Sequence, residues 1–203
     1  MTRFILCPLL ATLLCAGCAQ TTALAPHAAP LSNANAAPLN DPHAAWSLHQ
    51  GGLLTGPESA AAQSALDRVG SQLTGPPLRA FVLRSSEPVA YSFPDGSIYL
   101  SAALVHALSP DQLAAVVAHE LGHLLHDKLL TSPAALRGDT PAGANADIET
   151  AADMLARQIL IAHHIPSASL ADALTIIADR SRNTPWEPAL RARAAHQRTL
   201  DTP

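Results

Sequence analysis

One stretch constrains this chain more than any other: Ser109 to His126, which reads SPDQLAAVVAHELGHLLH. Ser109 can cap a helix, Pro110 suits a first turn that needs no N–H, and Gln112 stands where a capping box closes. The pattern predicts a helix over 110–126, with Leu113, Val117, Leu121 and Leu124 on one apolar stripe. His119 and His123 fall on a neighbouring face with Ala115. Residues four apart on a helix differ by about 40° in direction, so both imidazoles can reach one metal ion. Glu120 points to the flank, placed to touch a water at such an ion without binding it.

The rest of the chain supplies a frame of mostly helical elements. Hydrophobic residues make up 48 % of the sequence, many of them alanine, and aromatics only 3 %, so the core must be built from Leu, Val, Ile and Ala. That composition favours helix packing. Ser59 to Leu73 has Ala62, Leu66, Val69 and Leu73 at helical spacing, and Gly75-Pro76-Pro77 breaks it. Arg79–Leu83 and Ser97–Ser101 read as strands, with Pro94-Asp95-Gly96 as a turn before the second. A short helix is expected over 102–108, and longer ones near 147–163, 168–181 and 187–199. The fold class is α+β, mainly helical, with one small sheet. A net charge of −4, and no basic run beyond the loose set Arg191, Arg193 and Arg198, argue against a nucleic-acid surface.

The three cysteines, Cys7, Cys15 and Cys18, all lie at the N-terminus. A metal in the body of the protein must therefore use His and carboxylate ligands. Glu149-Thr150-Ala151-Ala152-Asp153 supplies them on the next long predicted helix, with both acids on one face. Glu149 can complete a set with His119 and His123, and Asp153 can hydrogen-bond a ligand histidine to hold its tautomer. Three protein ligands and an open fourth position are the pattern of a catalytic zinc, one per chain. Glu120 would then be the general base and acid.

With these motifs the sequence resembles the HtpX and CAAX-prenyl-protease type of zinc metallopeptidases, over roughly residues 80 to 195. The likeness rests on His119-Glu120-x-x-His123, on Glu149-x-x-x-Asp153, and on Ala90-Tyr91-Ser92-Phe93-Pro94-Asp95-Gly96-Ser97-Ile98. It implies a zincin-like domain whose small sheet lies beside the metal helix. One strand there pairs with an extended peptide substrate. It also implies an endopeptidase of the bacterial cell envelope that acts on misfolded or misassembled proteins, outer-membrane proteins among them. Many relatives carry Thr-His-Pro followed by Arg near the C-terminus. Here Thr184-Pro185 and Arg191 resemble that element without its histidine, and His196 is the candidate stand-in for oxyanion stabilisation or gating. The segment from Leu124 to Ala146 is a candidate flap over the cleft.

The N-terminus reads as an address. Arg3, the apolar run Phe4–Leu14 and Ala16-Gly17-Cys18 resemble a bacterial lipoprotein signal, with an ordinary cleaved signal as the alternative. The expected division is a signal over 1–17, a lipidated Cys18 with an Ala/Pro-rich linker over 18–45, and the peptidase domain over 46–203. Ala19 after the cysteine implies outer-membrane sorting and a periplasm-facing, lipid-anchored protein. His27 and His43 are read as solvated linker residues. His126 and His163-His164 are read as helix-end histidines, and His106 as a surface or packing histidine. Two rival readings stay open: a metal-binding, chaperone-like lipoprotein with little proteolysis, and a structural zinc site with a fourth protein ligand.

Overall fold

The computed structural model describes residues 41–129 and 148–201. Cys18, the signal, nearly all of the expected linker and most of the candidate flap lie outside the described residues. The elements run in the order α1 Ala44–His49, β1 Leu53–Leu54, α2 Pro57–Gly70, β2 Arg79–Leu83, β3 Ala90–Ser92, β4 Ser97–Ser101, α3 Ala102–Ala107, α4 Pro110–His126, α5 Ile148–Ala162, α6 Ala168–Arg180 and α7 Glu187–Leu200. The fold is α+β and mainly helical.

The organising element is α4, which spans the residues its cap signals predict. Ser109 Oγ accepts from the Gln112 N–H at 3.3 Å, and Gln112 Oε1 accepts from the Ser109 N–H at 2.9 Å, so both halves of the capping box are made. Every residue from Leu113 to Leu124 is buried. A helix covered on all sides must be surrounded, and α2, α5, α6 and β3 all pack on it. Helix α2 begins at Pro57, two residues before the expected start. Pro57 stands in the first turn, preceded by Gly56 at φ 93°.

The sheet has the order β1-β2-β4-β3 and is mixed. β2 and β4 run parallel with Arg79 opposite Ser97 and Leu83 opposite Ser101, while β3 pairs antiparallel with β4, Tyr91 opposite Tyr99. The β3–β4 hairpin turns through Pro94-Asp95-Gly96. Gly96 has φ 85°, and a Cβ there would lie 2.6 Å from the Pro77 carbonyl oxygen, so both backbone conformation and space demand glycine.

Side chains alternate across the strands. One face carries Phe81, Tyr91, Phe93 and Tyr99, and Trp46 of α1 packs edge-on against Tyr91, Phe93 and Tyr99 with ring centroids 5.0 Å apart in each case. The reading of His43 as a solvated linker residue is corrected here. Its ring stacks on Phe93 at 3.9 Å, and its Nε2 lies 3.2 Å from Asp95 Oδ2. Asp41 accepts from the Tyr99 hydroxyl at 2.5 Å. This end of the linker folds down because the aromatic face of the sheet would otherwise be wet.

α4 and α5 pack closely. A Cβ at Gly122 would stand 2.6 Å from the Ala152 carbonyl oxygen, so the two backbones meet where any other residue would hold them apart. That approach sets α5 against the histidine face of α4. No helix among the described residues is long and apolar enough to cross a membrane.

Candidate metal centre

Three ligand atoms converge between α4 and α5. His119 Nε2 and His123 Nε2 are 3.1 Å apart, and Glu149 Oε2 is 3.4 Å from His119 Nε2. One ligand atom from each of the three residues lies within 4.8 Å of the others. Zinc bonds of roughly 2.0–2.1 Å in a tetrahedron give ligand–ligand edges of about 3.3–3.4 Å. Two imidazole nitrogens and one carboxylate at these separations fit a divalent ion with one tetrahedral position left for water or substrate. The two rings stand nearly perpendicular, at 87°.

Asp153, one turn beyond Glu149 on α5, completes the support. Its Oδ1 lies 2.9 Å from His119 Nδ1. A proton on Nδ1 leaves the Nε2 lone pair facing the other ligand atoms, which fixes the tautomer that a metal needs. His119, Glu120 and His123 are 3 %, 1 % and 0 % exposed, so the surroundings set their charge states.

Those charge states diverge. Burial keeps His123 well below the ordinary histidine range, helped by His119 and Arg193, so it stays neutral and able to bind a metal. Burial and the Arg193 charge also oppose a proton on His119, but Asp153 and Glu149 outweigh them and lift it to about 9. Burial would raise Asp153, yet Arg193 and His119 bring it down to about 2. Burial pushes Glu120 up to about 8, with only partial relief from His119 and the Ser92 side chain. Glu120 Oε2 is buried with no hydrogen-bond partner among the described residues. A carboxyl group poised near neutral pH suits proton transfer.

The edge of the sheet lies beside this centre. Ser92 of β3 stands on the face opposite the aromatic cluster, next to Glu120. On β3 the hydrogen bonds to β4 alternate: Phe93 N–H donates to the Ser97 carbonyl, and the Val89 carbonyl accepts from Ser101 N–H, each at 2.9 Å. The intervening Ala90 and Ser92 therefore direct their main-chain groups to the outer edge. β3 has no further strand beside it among the described residues.

At the C-terminal end the structure departs from the sequence reading. His196 is exposed on α7. Arg191, matched by spacing to the arginine of relatives, is also exposed and pairs with Asp179 at 2.8 Å and Glu187 at 3.0 Å. The α7 residue that enters the centre is Arg193, bound to Glu149 and Asp153 at 2.5 and 2.6 Å. Two residues on a helix differ by about 200° in direction, so Arg191 and Arg193 face opposite ways. His106, 3.2 Å from Glu58, is a surface histidine, and His126, 3.3 Å from Asp127, ends α4, both as expected.

Residues 59–183 match the family model of peptidase family M48. That span holds α4, α5 and every expected metal ligand, and it stops before α7. No curated protein matches the chain.

Proposed function

The chain belongs to peptidase family M48 and is a metallopeptidase; from that premise we propose that it is a zinc-dependent endopeptidase of the bacterial envelope. The observation that carries the zinc reading is the convergence of His119, His123 and Glu149, with Glu120 buried on their flank and the edge strand β3 beside it.

In this reading His119, His123 and Glu149 hold the ion, and Asp153 orients His119. When bound, zinc supplies Lewis-acid polarisation of a peptide carbonyl and makes water more acidic. The remaining work belongs to the chain. An extended peptide is held along the edge of β3 by main-chain hydrogen bonds, with little demand on its sequence, once the cover that leaves Ala90 and Ser92 0 % exposed has moved aside. Glu120 accepts the proton of the attacking water and returns it to the leaving amine. Its burial excludes bulk water from that transfer.

The cellular part of the proposal rests on the N-terminal sequence. The Ala16-Gly17-Cys18 ending supports export and lipidation at Cys18, and Ala19 supports outer-membrane sorting. Substrates would be misfolded or misassembled envelope proteins, because an edge strand selects for unfolded main chain.

The test compares wild type and Glu120→Gln for hydrolysis of an unfolded casein-like substrate and for bound zinc. Loss of hydrolysis with zinc retained supports the reading. Equal cleavage by both proteins would falsify it, and no cleavage by either would favour a chaperone-like role.

A further inference from the structure

Two acidic side chains on one turn of α5 meet one arginine from α7. Arg193 Nε donates to Asp153 Oδ2 at 2.8 Å and Nη2 to Asp153 Oδ1 at 2.6 Å, a two-pronged pairing that suits a guanidinium. Nη1 donates to Glu149 Oε2 at 2.5 Å. That oxygen is the one 3.4 Å from His119 Nε2, hence the atom that Glu149 offers to a metal. Nη2 also lies 3.3 and 3.4 Å from the two ring nitrogens of His119. The guanidinium thus stands at the rim of the ligand set. Its side chain is only 14 % exposed, so solvent screens its charge poorly.

We propose that Arg193 is a resident counter-cation of the metal centre: it holds Glu149 and Asp153 in place whether or not an ion is bound, and it contends with the ion for Glu149 Oε2. The proposal rests on the metal-centre reading above. Without a positive charge, two carboxylates would face each other across one turn of a half-buried helix, and folding would have to wait for the metal, as in small zinc domains. Arg193 removes that dependence. The cost falls on metal affinity, because a dication must approach a fixed positive charge and share an oxygen with it. The contact of Nε with Asp153 Oδ2 touches neither the metal-facing nitrogen of His119 nor Glu149, so it can persist on metal binding and keep Asp153 on His119.

The experiment uses the full chain. Zinc affinity is measured by competition with a chelating indicator, and thermal unfolding is followed with and without zinc, for wild type, Arg193→Gln and Arg193→Lys. Arg193→Gln should bind zinc on the order of tenfold more tightly, since the repelling charge is gone. Its metal-free melting temperature should fall by about 10 °C, because buried Asp153 and part-buried Glu149 lose the guanidinium, and zinc should restore most of that loss. Stripped wild type should keep a cooperative unfolding transition. If Arg193→Gln does not fold without zinc, Arg193→Lys decides. One ammonium cannot hold both carboxylates, so its zinc affinity should exceed that of wild type. Variants that bind zinc no more tightly than wild type, or stripped wild type without a transition, overturn the role of Arg193 and leave the metal centre standing. Wild type that binds no zinc overturns both.

Discussion

The two faces of the four-stranded sheet are built by opposite means. On one, Trp46, Phe81, Tyr91, Phe93 and Tyr99 share a cluster of ring contacts centred on Trp46 and Tyr99, each of which touches three of the others. On the other, beside α4, single contacts carry single tasks: Asp153 on His119, Ser92 by Glu120, one glycine at the crossing of α4 and α5. The first face stabilises through apolar area and degrades gradually when trimmed. The second holds buried ionisable groups whose desolvation opposes folding, and it is retained for what those groups do.

The largest effect should come from Glu120→Gln, which separates the two contributions outright. Hydrolysis should fall by about 10²–10⁴-fold through loss of the proton acceptor, read as kcat/KM on an unfolded substrate. The same change should stabilise the stripped protein at alkaline pH. Glu120 is lifted to about 8 in the fold, so the folded state holds a proton that the unfolded state releases near its ordinary value. Its stability contribution is full below that ordinary value and is lost as pH rises through 8. Glutamine has no proton to lose. The variant should therefore gain about 2–4 kcal/mol over wild type between pH 5 and pH 9, measured by urea unfolding. A variant that is inactive yet no more stable at pH 9 would break the view that this face trades stability for chemistry.

Metal binding should follow pH just as steeply. His119 carries a proton up to about 9, and an ion must displace it. Zinc affinity should drop roughly tenfold per unit as pH falls from 9 towards 7, with proton release seen by calorimetry in two buffers. A flat profile would mean that Asp153 and Glu149 do not raise His119 as the geometry requires.

Gly122→Val tests the crossing. Its Cβ would meet the Ala152 carbonyl oxygen at 2.6 Å, so α5 must retreat. About 3 kcal/mol of stability should go, and zinc binding should weaken with it, because Glu149 rides on α5. Trp46→Ala is the counterpart on the aromatic face. It should cost a similar or smaller amount, about 2–3 kcal/mol, yet leave zinc affinity unchanged. Coupling of zinc affinity to Trp46 would erase the distinction between the faces.

Much of this was legible along the chain. The cap at Ser109 and the apolar stripe located α4, and the spacing within it put two imidazoles on one face. Glu149 and Asp153 were legible as a pair because helical periodicity aligns residues four apart on α5 as it does on α4. β2, β4 and the Gly96 turn were marked by β-formers and by Pro-Asp-Gly, whereas the two-residue β1 was too short to leave a pattern. His43 was not legible: its Ala/Pro-rich neighbours look like linker, and only the presence of Phe93 and Asp95 opposite gives it a place. Nor was the choice of Arg193 over Arg191 or His196, all on one helix whose rotation no local pattern reports.

The sequence alone determined which side chains share a helical face, since that depends on a backbone period common to all helices. Tertiary structure decided which faces meet. The rotation of α7 that turns Arg193 inward, and the approach of α5 allowed by Gly122, come from packing between elements distant in the chain. Charge states follow the same division. Residue type sets the ordinary pKa, but the values of His119, Glu120 and Asp153 depend on burial and on a guanidinium brought from another helix.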